Sequence, residues 1–98
     1  MQTAYIHLIK HALSQGNTVS VWDGEEWQVK RSTSLRAITE AVKSVEEAAL
    51  RIRDQDGNVV AWASVSAYGL QPDETVMDYG DNEWANAWFD GYTQSIEA

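Results

Sequence analysis

Apolar side chains recur every three to four residues at the start of the chain. Tyr5, Ile6, Leu8, Ile9, Ala12 and Leu13 fall on one side of a 3.6-residue period, which predicts an amphipathic helix over residues 3–15. His7, Lys10 and His11 take the other side. Gly16-Asn17 ends the helix, because both residues tolerate the left-handed backbone of a helix terminus. The period then drops to two. Thr18 to Trp22 and Trp27 to Arg31 are β-rich runs around Asp23-Gly24, the pattern of a hairpin, and Glu25-Glu26 lengthens its loop.

Helical spacing returns after Ser32-Thr33-Ser34, which offers N-caps. Leu35, Ile38, Ala41, Val42 and Val45 form an apolar stripe, with Arg36, Thr39, Glu40 and Lys43 opposite. Ala49 to Arg53 alternates, with Leu50 and Ile52 on one face and Arg51 and Arg53 on the other. Asp54-Gln55-Asp56-Gly57-Asn58 is a turn, and Val59 to Ala67 is a long strand, so a second hairpin is expected. Leu70 to Asn82 is a connection holding the one proline, Pro72, with Thr75-Val76-Met77 as a short edge-strand candidate. Asp81 or Asn82 caps a last helix from Glu83 to Thr93 or Ile96. That helix gathers Trp84, Ala85, Trp88, Phe89 and Tyr92 on one face, with Trp88 and Phe89 turned inward and Trp84 or Tyr92 near the rim. The order α-β-β-α-β-β-α predicts a single compact α+β domain over 1–98: a four-stranded antiparallel sheet with helices packed on one face.

Composition agrees with one domain. The 98 residues are 44% hydrophobic and 22% charged, ordinary for a folded chain. Five Trp, four Tyr and one Phe supply large buried area per residue to a small core. The absence of cysteine excludes disulfides, thiolate metal sites and thiol catalysis. His7, Lys10 and His11 interrupt the first apolar stretch, so no signal peptide is read there. No apolar run is long enough to span a membrane, and the expected location is cytoplasmic.

Charge changes the picture. All seven Lys and Arg residues lie at or before Arg53 and face six acidic residues there, a balance of +1. From Asp54 onward there are nine acidic residues and no basic one, a balance of −9, and the two halves sum to the net charge of −8. Such a surplus argues against binding nucleic acid phosphates or anionic lipid and favours basic partners. The hairpin turn explains Asp54 and Asp56. Asp73, Glu74, Asp78, Asp81, Glu83 and Asp90 have no such structural reason. They are expected to form a docking surface for a partner protein, with Trp84 as its aromatic anchor.

Other chemistry is thin. His7 and His11 have the i,i+4 spacing by which two imidazoles share a metal, but no third ligand is evident and a solvated pair explains them. Asp54 to Asn58 has its Gly at the wrong position for a calcium-binding EF-hand loop, and the twelfth position is Val65 rather than Glu. The carboxylates of residues 73–83 match no metal motif. No phosphate loop, no nucleophile elbow and no poised carboxylate pair is present. No catalytic residue, metal or cofactor is therefore expected, and the chain reads as non-enzymatic.

The element order also occurs in LAGLIDADG homing endonucleases. Their helix motif is missing here, and outward Lys30, Arg51 and Arg53 are too few cations for a DNA-facing sheet. The stretches WDGEEWQVKRSTS, AITEAVKSVEEAALRIRDQDGNVVAW and PDETVMDYGDNEWANAW together resemble small uncharacterised proteins of tailed bacteriophages and prophages. That resemblance covers most of residues 21–89 and implies a context rather than an activity: a small acidic accessory protein that binds a basic surface of a host protein, as an inhibitor or nucleic-acid mimic. The alternatives are a small metal-binding or hydrolytic domain, and a homo-oligomeric protein assembled through a sheet edge or the aromatic helix.

Overall fold

The computed structural model describes residues 3–68, 75–80 and 82–97, the last three by backbone alone. Pro72 and three of the expected docking residues, Asp73, Glu74 and Asp81, lie outside the described residues. The elements are α1 (Ala4–Ser14), β1 (Thr18–Trp22), β2 (Trp27–Ser32), α2 (Leu35–Val45), β3 (Glu47–Arg53), β4 (Val59–Ser66), β5 (Val76–Tyr79) and α3 (Glu83–Glu97). The architecture is α+β, and the sheet is antiparallel with strand order β2-β1-β3-β4-β5.

The expectation of four strands is corrected to five. Val76–Tyr79 pairs with β4 through Val65↔Val76, Ser64↔Asp78 and Ala63↔Tyr79. Met77 has no partner in that register, so it forms a bulge that breaks the two-residue period. A four-residue strand containing a bulge leaves almost no alternation to read.

β3 is the central strand. It pairs without a break to β1, from Thr18↔Arg53 to Trp22↔Ala49, and to β4 from Glu47↔Ser66 to Ile52↔Ala61. Its inward side chains Ala48, Leu50 and Ile52 are buried with Val19 and Val21 of β1 and Ala61, Ala63 and Val65 of β4. The helices cover this face with Tyr5, Leu8, Ile9 and Ala12 of α1, Ile38 and Val42 of α2, and Trp88 and Tyr92 of α3. Trp88 and Leu50 are among the largest fully buried side chains, and each buried aromatic or branched residue contributes about 1.5–3 kcal/mol.

Local chemistry sets the helix ends. After α1 the N–H of Asn17 donates to Ala12 O (3.0 Å) and that of Gly16 to Leu13 O (3.1 Å), a Schellman end that requires the φ of +79° at Gly16. Ser34 Oγ accepts from Ala37 N at the start of α2 (3.2 Å). Asn82, one of the two expected caps, accepts from Ala85 N through Oδ1 (2.8 Å) and donates through Nδ2 to Val60 O (3.0 Å). One side chain therefore caps α3 and ties it to β4.

The first turn of α1 is capped from far along the chain. Tyr5 N donates to Thr75 Oγ1 over 3.0 Å, a buried bond between residues 70 apart. Thr75→Val keeps the shape and deletes the acceptor, leaving a buried N–H unsatisfied at a cost of about 1–3 kcal/mol. We expect Thr75→Val to lower the unfolding free energy measured in urea by that amount while Thr75→Ser retains most of the stability. Equal losses in the two variants would contradict the capping role.

Candidate functional site

The structure has two surfaces on which side chains are positioned without an obvious structural task. The first is the edge formed by β5 and α3. Tyr79 of β5 stacks on Phe89 of α3, with ring centroids 6.1 Å apart and planes 27° apart. Phe89 is 45% exposed, although the helix periodicity placed it inward. It lies toward β5, at the mouth of a groove of about 280 Å³ lined by Ala4, Val76, Tyr79, Trp88 and Tyr92. Glu83 and Asp90 are seven residues apart on α3, hence on one stripe, and both are exposed. Asp78 is exposed on β5, where its Oδ1 accepts from Tyr79 N (2.9 Å). Among the described residues the one ion pair is Arg36–Glu40 on α2 (3.1 Å), so no cation neutralises Asp78, Glu83 or Asp90.

Trp84, the expected anchor, is half-buried. Its ring meets His11 edge to face at 5.0 Å, and His7 meets Tyr92 in the same way at 5.2 Å. His7 and His11 thus form a seam against α3, while Lys10 between them is exposed. Sequence periodicity missed this, because a histidine can serve either setting. Burial pushes the His7 and His11 imidazoles below their ordinary pKa of 6.5, aided at His7 by the charge of Lys10 and at His11 by that of His7.

The second surface is the face of the sheet that carries no helix among the described residues. Adjacent strands bring its outward side chains into rows. One row runs Trp27, Trp22, Ala49, Ser64, Asp78. The next contains Ser20, Arg51 and Trp62, with Lys30 and Arg31 at its β2 end. Trp22 and Trp27 meet edge to face at 5.0 Å, and the Arg51 guanidinium lies 5.4 Å from the Trp27 ring centroid. This cation–π contact contributes roughly 0.5–1 kcal/mol at an exposed site. Trp62 is 44% exposed, and its indole covers Gly80, where an added Cβ would approach Nε1 to 2.5 Å. The small Ala49 leaves a shallow groove of about 400 Å³ between Trp22, Trp27, Arg51 and Trp62.

Alternation alone hides this cluster. It puts Trp27 and Val29 on one face, whereas Val29 pairs with Val21 and Trp27 with Trp22. The extra residue Gln28 turns Trp27 to the open side. A second irregularity, with Arg31 at φ 48°, leaves both Lys30 and Arg31 exposed beside Arg53.

Among the described residues no three His, Asp or Glu side chains are placed to hold a metal ion. No described helix is long and apolar enough to cross a membrane. The fold and the two surfaces define a two-layer α+β domain with an open, tryptophan-bearing sheet face. Comparison of the chain with protein families, curated proteins and solved structures finds no match.

The histidine seam makes stability depend on pH. Lowered folded-state pKa values mean that the unfolded chain binds more protons, so stability rises with pH. The contribution is fully present above about pH 6.5 and is lost as pH falls through the lowered values of the folded state. Thermal melts at decreasing pH between 7.5 and 5.5, a window above ordinary carboxylate titration, are expected to show a falling Tm. His7→Gln/His11→Gln should flatten that slope, and parallel slopes for the two proteins would contradict the seam.

Proposed function

We propose that this chain is a non-enzymatic binding protein of the small acidic phage type. In this reading its acidic C-terminal side docks on a basic surface of a host protein in the host cytoplasm. The observation that carries the reading is the β5–α3 edge. There, an exposed Phe89 stacks on Tyr79 and shares α3 with the exposed carboxylates of Glu83 and Asp90, exposed Asp78 stands on the open-face side of β5, and no cation among the described residues neutralises them. Carboxylates left unpaired speed association with a basic partner and select against acidic ones. An aromatic ring beside them adds the desolvated anchor that charge alone does not provide. Phe89 takes the anchoring role first assigned to Trp84, whose ring is engaged by His11. β5 also ends the sheet, and an edge strand exposes backbone groups that a partner segment can pair with.

Among the described residues no three His, Asp or Glu side chains are grouped to hold a metal ion, so the metal-binding alternative has no supporting observation there. Affinity capture from a host lysate at low and at high salt tests the binding reading. The expected result is a basic protein retained at low salt, released at high salt, and lost with the neutral variant Asp78→Asn/Glu83→Gln/Asp90→Asn and with Phe89→Ala. Far-UV circular dichroism checks that the variants are folded, Phe89→Ala above all, because its ring packs on Tyr79 and Trp88. Retention that is indifferent to salt and to these four substitutions would contradict it.

A further inference from the structure

We propose that the open face of the sheet is an interface between two copies of this chain, packed face to face about a two-fold axis. The axis lies between the two sheets and runs across the strands, between the row of Ala49 and the row of Arg51. Such an axis lays each strand antiparallel over its own copy. Each outward residue on one side of the axis then meets the residue of the same strand on the other side. An interface of this symmetry requires a patch that complements itself.

The register shows that this patch does. In β4, Trp62 meets the partner's Ser64, and in β1, Trp22 lies over the position of the partner's Ser20, whose own side chain is buried and accepts from Arg31 N. In β3, Arg51, whose guanidinium lies over Trp27 of its own chain, stands above the partner's Ala49, at the groove walled by Trp22, Trp27, Arg51 and Trp62. The β3 and β4 pairs each set a large side chain over a small one, as interdigitating sheet faces do. The ends of β3 carry opposite charge: Glu47 at the start and Arg53 at the finish, both on the open face. The axis brings Glu47 over the partner's Arg53, twice by symmetry. Their length spans the offset of about 30° that sheet twist introduces between packed sheets.

The same arrangement distinguishes a second copy from the other ligands of an aromatic and basic face. A single-stranded nucleic acid stacks on tryptophan but needs cations along its whole track. Here Glu47 and Asp23 border the groove next to Trp22 and Ala49, where such a strand would be repelled. A second copy uses both signs. The surface is separate from Phe89, Glu83 and Asp90 and shares with the host-binding reading only Asp78, at the β5 end of the Ala49 row, so it does not depend on that reading.

Sedimentation velocity of the full chain tests the proposal. The expected species has twice the 11.0 kDa chain mass. Glu47→Arg and Arg53→Glu should each give monomers, because each variant sets like charges against each other at both symmetry-related contacts. Mixing the two variants one to one should restore the dimer, since each then faces its opposite. Far-UV circular dichroism confirms that the singly substituted proteins are folded. A wild-type chain that stays monomeric, including one that then binds a single-stranded oligonucleotide, overturns the proposal. So does a dimer that persists in both single variants, or a mixture that remains monomeric.

Discussion

The main chain of β3 is hydrogen-bonded along both edges, to β1 and to β4, and its side chains alternate without interruption. That double pairing is the constraint on which the rest depends. Sliding β3 by one residue would turn Leu50 and Ile52 to solvent and drive Arg51 and Arg53 under the helices. Burying an unpaired guanidinium costs several kcal/mol, and exposing two branched side chains forfeits about 3 kcal/mol or more, so the slip is closed off. With β3 in place, β1 and β4 inherit their inward and outward sets. The helices then have one face to cover, and the other is left with Trp22, Ala49, Arg51 and Trp62.

The outer parts of the molecule are held more loosely, by individual side chains. Asn82 joins the start of α3 to β4, and Thr75 joins the approach to β5 to the first turn of α1. The α1–α3 seam is made of imidazole against indole and phenol rings. Neutral imidazole suits such a seam and charged imidazole does not. The edges of the domain therefore respond to pH and to single substitutions more than the β1-β3-β4 centre does. Both candidate surfaces combine the two regimes: a rigid strand supplies position, and an irregularity at the sheet margin supplies exposure.

Much of this was legible in the sequence where the period was clean. The stripe from Leu35 to Val45, the alternation from Ala49 to Arg53 and the Asp54–Asn58 turn each stated their structure through regular spacing and turn chemistry. What was not legible followed from broken periods. Gln28 shifts Trp27 to the opposite face from the one alternation gives, and Met77 interrupts β5 before a pattern can form. Histidine is neutral to periodicity, so His7 and His11 read as solvated although they face α3. The charge asymmetry is plain in the sequence, with every Lys and Arg at or before Arg53. The three tryptophans of the open face lie at residues 22, 27 and 62, too far apart in the chain to be recognised together before the register is known.

The alternation along β3 is open to a direct measurement, because the chain has no cysteine of its own. Single cysteines are placed in turn at Glu47, Ala48, Ala49, Leu50 and Arg51 in the Arg53→Glu background, which keeps the open face uncovered, and their rates of thiol labelling are compared. Fast labelling of Glu47→Cys, Ala49→Cys and Arg51→Cys, with slow labelling of Ala48→Cys and Leu50→Cys, is the predicted result. Rates that do not alternate, or that are fast at Ala48 and Leu50, would contradict a sheet with one packed face and one open one.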